Sequence, residues 1–250
     1  MMLRRLRCTP AHEPPLAILH IDGQLTLRNA AQLRTALLKC LAEQPIAILV
    51  DVAGLTVEED LSLTAFMAAS RHAAAWPGVP LLVCAPSRDL RAALRRLGAD
   101  RQLTLCTDLD HGRTVAARRE LPAQVRDRFP PAAASVRAAR TLVSGACQRW
   151  RLAVVVEPAR LVTTELVTNA VRHAGTPIEL TVTRGRRYLH LAVRDYHQRR
   201  ARRIGSDGAT GPRGRGLLLV EAVSASWGCT LLPDGKVTWA SLHLMARSRI

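Results

Sequence analysis

Lysine is nearly missing from this chain. Lys39 and Lys236 are the only two among 36 basic residues, and all the others are arginine. A bias so complete reflects a GC-rich coding sequence as much as any function. Aromatic residues are scarce as well, at 3% of 250 residues. The cores must therefore be built from Leu, Val, Ala and Ile, and stacking platforms for single-stranded nucleic acid are lacking. No apolar run approaches the ~20 residues that span a bilayer. The opening MMLRRLRCTPAHEPP carries charge with no apolar stretch behind it, so it does not read as a secretory signal. Six cysteines (Cys8, Cys40, Cys84, Cys106, Cys147 and Cys229) are scattered without a C-x-x-C pair. That pattern argues against a zinc site or a disulfide framework and for buried free thiols. The expectation is a cytoplasmic protein without membrane or direct nucleic-acid contact.

What is present suffices for two modest domains, each with its own core. Nearly half the residues, 48%, are apolar. Charge is unevenly placed: residues 1–115 hold 13 basic and 11 acidic side chains, residues 116–250 hold 23 and 9. The second half will therefore attract polyanions such as nucleotides or an acidic protein face.

The first half alternates short apolar runs with amphipathic helical patterns. Strands are predicted at Leu16–Ile21, Ala47–Val52, Val79–Cys84 and Leu103–Cys106. Helices are predicted after Asn29, over Leu61–Ala75, from Ser87 to Gly98 and after Asp108. This alternation predicts a mostly parallel α/β sheet. Residues 1–14 read as a tail and 118–128, charged and aperiodic, as a linker ending at Phe129-Pro130-Pro131. Beyond it come two helices, 132–150 and 158–174, two strands about Gly185, a Gly- and Arg-rich loop 196–213, a helix from Arg215 and a hairpin turned at Asp234-Gly235. Helices with an antiparallel sheet behind them predict an α+β layer.

Three clusters carry chemistry. Glu165, Asn169 and His173 lie at i, i+4 and i+8, on one helical face. An amide oxygen is a hard neutral ligand for Mg²⁺, and a carboxylate one turn away can orient or deprotonate a hydroxyl or water. Asp195 closes an apolar strand, where its carboxylate can take a hydrogen bond from an exocyclic amine. Gly211-Pro212-Arg213-Gly214-Arg215-Gly216 runs into Leu217 and a helix, and glycines there let backbone N–H groups approach phosphate at the positive end of the dipole. There is no Walker A lysine, no dinucleotide fingerprint after a strand and no protein-kinase motif set. Each cluster alone has a plain reading: a solvated helix face, a strand-end turn, a soluble loop.

Their order and spacing together resemble the GHKL ATPase superfamily, which includes gyrase and the histidine kinases. Ser226-Trp227-Gly228 and Asp234-Gly235-Lys236-Val237-Thr238-Trp239 narrow the resemblance to the anti-sigma-factor serine kinases of actinobacteria, over 129–246. The resemblance implies a two-layer (Bergerat) ATP-binding fold that uses ATP and Mg²⁺. It makes Asn169 the Mg²⁺ ligand, Glu165 the general base and Asp195 the adenine reader. His173, Gly214, Arg215, Gly216 and Leu217 would line the nucleotide, under a lid formed by 196–213. One departure is visible: the family's Asp-x-Gly is here Asp195-Tyr196-His197. The six arginines between Arg199 and Arg215 either hold phosphates or keep the loop soluble.

Residues 15–117 resemble the STAS domain of anti-sigma factor antagonists, most specifically at Ile48-Leu49-Val50-Asp51-Val52-Ala53-Gly54-Leu55. Where that family has its phosphorylated serine, this chain has Asp60, within Glu59-Asp60-Leu61-Ser62. Asp60 is either a helix-start acid or a partial mimic of phosphoserine, whose charge is about −1.5 to −2. The implied function is an anti-sigma regulatory factor with serine/threonine kinase activity toward an antagonist protein. The alternative is a catalytically inactive, ATP-dependent protein-binding module in the same partner-switching network. Implied partners are a sigma factor and STAS antagonists; monomer or homodimer stays open.

Overall fold

The computed structural model describes residues 4–197 and 215–244. The chain divides into two compact units, Met1–Leu121 and Pro122–Ile250.

The first unit is a sheet with four helices. β1 (Arg7–Glu13), β2 (Leu16–Leu25), β3 (Ile48–Asp51), β5 (Leu81–Cys84) and β6 (Thr104–Cys106) lie side by side in the order β1-β2-β3-β5-β6, and short β4 (Leu55–Val57) pairs with the end of β2. All pairs are parallel except β1 with β2. Ile48, Leu49, Val50 and all of β5 are buried, as expected of central strands covered on both faces. The helices α1 (Ala30–Ala42), α2 (Thr64–Ala75) and α3 (Arg88–Arg96) connect successive strands, and α4 (Leu109–Ala117) follows β6. Ser87 caps α3 by accepting from Leu90 N, and Gly98, at φ +66°, ends it in the left-handed conformation that glycine adopts freely. Asp108 caps α4 by accepting from His111 N. Asn29 precedes α1 but does not cap it; its amide instead bonds Thr26 N and Gln24 O, closing the turn before the helix.

Two expectations need correction. The segment 1–14 is not merely a tail, because Arg7–Glu13 pairs along β2 from Arg7↔Asp22 to Glu13↔Leu16. Nor is 118–128 a plain linker: Ala123–Phe129 forms β7, paired with the second unit's sheet from Ala123↔Arg184 to Phe129↔Ile178. Both are edge strands, largely exposed and polar, and β1 contains Pro10. An edge strand needs neither alternating apolar residues nor every backbone donor, so its sequence carries almost no signal.

The second unit stacks helices on an antiparallel sheet. α5 (Ala134–Arg149) and α6 (Val156–Ala174) lead, then β8 (Ile178–Arg184), β9 (Tyr188–Asp195), α7 (Arg215–Val223), β10 (Ser226–Leu232) and β11 (Gly235–His243). The sheet order is β10-β11-β9-β8-β7. Leu180, Val182, Leu189, Leu191, Val193, Ala240 and Leu242 meet Ala139, Val143, Val162, Leu166, Val167 and Ala170 in one core. Full burial of a leucine such as Leu166 contributes about 1.5–3 kcal/mol, so the register of α6 on the sheet is firmly set. Gly175, at φ +62°, ends α6. Among the described residues no helix is long and apolar enough to cross a membrane.

Candidate functional site

Burying Val162, Leu166 and Ala170 of α6 turns its polar stripe the other way. Glu165 and Asn169 are half-buried on that stripe, and His173, near the helix end, is exposed. Glu165 and Asn169 make no side-chain hydrogen bond with any described residue, so a carboxylate and an amide one turn apart retain their full capacity for a ligand. α7 arrives against this stripe at its first turn. A Cβ built on Gly216 would collide with Glu165 Oε2 and lie 3.2 Å from Cδ and 3.7 Å from Cγ. Only a residue without a side chain lets the helix start sit so close to the carboxylate, and the positive end of the helix dipole favours that charge. Leu217 follows, half-buried. The backbone of Arg215 opens α7. Gly214 and 198–213 of the loop expected as a lid lie outside the described residues.

Asp195 ends β9 on the face that carries Leu189, Leu191 and Val193 toward the helices, and it is 1% exposed. Its Oδ2 meets Lys236 Nζ at 2.9 Å, and its Oδ1 accepts from His197 N at 3.3 Å. The register Lys236↔Asp195 between β11 and β9 sets the two side by side. The hairpin that delivers Lys236 turns at Pro233-Asp234, one residue before the expected Asp234-Gly235, and Gly235 opens β11, where a Cβ would run into the backbone oxygen of Asp195. Beyond Asp195 the chain is pinned. Tyr196 N donates to Thr176 Oγ1 at 3.1 Å, and the Tyr196 ring lies 5.4 Å from the Arg128 guanidinium and 5.0 Å from that of Arg194. Tyr196, the first residue of the departure from Asp-x-Gly, thus anchors the chain leaving β9 through cation–π contacts and a backbone bond to the Thr176 hydroxyl.

Lys236 lies in the hairpin stretch Asp234-Gly235-Lys236-Val237-Thr238-Trp239, and nothing local in that stretch marks it as part of the site. Its signal was rarity, as one of two lysines; its place beside Asp195 depends on a strand register that the sequence does not print. Thr176 gave no signal at all.

In the first unit, Asp60 opens a 3-10 turn (Asp60–Leu63) but does not cap it; the cap position belongs to Glu59, whose carboxylate accepts from Leu27 N at 3.3 Å. Arg96 of α3 donates to Asp60 Oδ2 from Nη2 at 2.7 Å and from Nε at 3.1 Å. Neighbouring hydroxyls are engaged: Ser62, fully buried, donates to Glu59 O, and Thr64 donates to Leu61 O.

Residues 8–107 match the family model of the Mlab, STAS domain, and residues 129–242 that of the histidine kinase-like ATPase domain. The chain joins a STAS domain to a GHKL-type, histidine kinase-like ATPase domain. Among solved structures it is similar to an anti-sigma factor antagonist from Mycobacterium paratuberculosis, at 17% identity and TM-score 0.39 over 45% of this chain and 95% of that one. A putative anti-sigma factor antagonist from Thermotoga maritima matches at 13% identity and TM-score 0.41, over 44% and 95%. No curated protein matches.

Proposed function

We propose that the ATPase domain binds MgATP and transfers its γ-phosphoryl group to a serine or threonine hydroxyl of a separate STAS antagonist. The fused STAS domain would act as a regulatory module, in a cytoplasmic partner-switching network that holds or releases a sigma factor. The observation that carries this reading is the close approach of the α7 start, at Gly216, to the Glu165 carboxylate, with Asn169 one turn further along α6.

The donor set fits the implied ligands. Among the described residues no group of three His, Cys, Asp or Glu side chains could hold a metal. Mg²⁺ would rest on the Asn169 carbonyl oxygen and on the nucleotide's own phosphates, as suits a hard ion that keeps few protein ligands. When bound, MgATP supplies the phosphoryl group and neutralises the charge that develops on it. Glu165 accepts the hydroxyl proton of the incoming serine or threonine as the new P–O bond forms and ADP departs. Asp195, at the end of β9, accepts from the adenine amine. Arg215, Gly216 and Leu217, at the start of α7, would turn their backbone groups to the phosphates, and the same reading assigns Gly214 and His173 to the nucleotide site.

In the STAS domain, Asp60 takes the place of an acceptor serine, and its charge is already met by Arg96. Phosphorylation is accordingly assigned to a separate antagonist. Incubating the chain with γ-labelled ATP and STAS antagonists from the same genome tests the reading. Label on an antagonist serine or threonine supports the kinase; ATP binding without transfer would leave the nucleotide-dependent binding module in its place.

A further inference from the structure

Half-buried Lys236 and buried Asp195 form a pair that, among the described residues, has hydrogen-bonding capacity left over. Their side chains are 14% and 2% exposed, and Nζ lies 2.9 Å from Oδ2. An ammonium has three N–H donors, yet among the described residues only Asp195 takes one. The carboxylate has about four lone-pair positions and accepts from Lys236 and, at 3.3 Å, from His197 N. The neighbouring groups do not absorb the surplus. Thr238, next on the same face of β11, donates its hydroxyl to Cys229 Sγ at 3.8 Å. Burial of Cys229 pushes its thiol up, so it stays a neutral wall. The Lys236 ammonium keeps some exposure, so its remaining donors stay open to a ligand, and a pair kept in that state fits a role in recognition better than one in stability.

A donor and an acceptor fixed side by side select a ligand edge with an acceptor next to a donor. The Watson–Crick edge of a 6-aminopurine has that arrangement, since N1 accepts and the 6-amino group donates. A 6-oxopurine in the same pose sets N1–H against the ammonium and O6 against the carboxylate, so both contacts repel. Resting on the ATP reading above, we propose that Lys236 is a second base-reading residue, donating to adenine N1 while Asp195 accepts from the 6-amino group.

The test compares ATP with 1-deaza-ATP, in which N1 is a C–H, on the full chain by calorimetry. One charge-assisted hydrogen bond corresponds to about tenfold or more in affinity, so the wild type is expected to bind ATP at least that much more tightly. Lys236→Met is expected to bind the two nucleotides equally. Equal binding by the wild type, or an undiminished preference in Lys236→Met, overturns the proposal while leaving ATP binding intact. Should Lys236→Met fail to fold, Lys236→Gln keeps an uncharged donor and is expected to show a reduced preference; an unchanged one overturns the proposal. A wild type that binds neither nucleotide refutes the ATP reading and this proposal with it.

Discussion

Replacing Gly216 with alanine adds one methyl group where Glu165 leaves no room for it. The new Cβ would overlap Oε2 and lie 3.2 Å from Cδ, inside the normal carbon–carbon contact of about 3.5–4.0 Å. Glu165 is half-buried and can swing aside, so the carboxylate withdraws by ~1 Å while the helices keep their places. A 1 Å misplacement of a reacting group can lower a rate by ~100-fold, or about 2.7 kcal/mol of barrier. Stability should move the other way, because alanine in a helix is favoured over glycine by roughly 0.5–1 kcal/mol. Gly216→Ala is therefore expected to fold as well as the wild type or better, and to transfer phosphate far more slowly at saturating ATP. Urea unfolding and single-turnover transfer from γ-labelled ATP measure the two quantities separately. A transfer rate within roughly threefold of the wild type, well short of that loss, would refute the placement of Glu165 at the reacting centre.

Glu165→Gln should keep nucleotide affinity and lose phosphoryl transfer by ~100-fold or more, since an amide accepts a hydrogen bond but no proton; joint loss of binding would make Glu165 a ligand instead. Asn169→Ala should abolish Mg²⁺-dependent ATP binding with an unchanged circular-dichroism spectrum, and calorimetry giving equal affinity would sink that assignment. Asp60→Ser removes a charge now bonded by Arg96, an exposed pair worth at most about 1 kcal/mol. If Asp60 imitates phosphoserine, the variant should tighten binding between separately expressed 1–121 and 122–250 and gain phosphate on the new serine by mass spectrometry. Unchanged affinity and no phosphate would reduce Asp60 to a surface ion pair. Buried His190, bonded to Ser241 Oγ at 2.8 Å, has its pKa lowered to about 4 by desolvation. The unfolded chain takes a proton below about 6.5 that the folded one refuses, so stability is complete above 6.5 and falls as pH drops toward 4. Urea unfolding should lose about 2–3 kcal/mol between pH 7.5 and 4.5 on this account. A His190→Gln variant with the same pH slope would assign the loss to other groups.

The sequence by itself determined both core architectures. Buried strand segments such as 48–50 and Leu81–Cys84 must be continuous apolar runs, and α6 must carry its apolar residues at helical spacing, so each announces itself locally. It also determined that Glu165, Asn169 and His173 share one helix face, because that relation spans nine residues of a single helix. Cap residues were legible where the capping bond is local, as at Ser87 and Asp108, and misleading at Asn29, whose amide found turn partners just as near. Only the tertiary structure decided the rest. β1 and β7 exist because a sheet edge accepts them, although their own residues bury little. Asp60 meets Arg96 across 36 residues, Glu165 meets Gly216 across two helices, and Asp195 meets Lys236 through the register of β9 on β11. Such pairings join residues far apart in the chain, and their energies depend on how helices and strands pack, so no local pattern of residues records them.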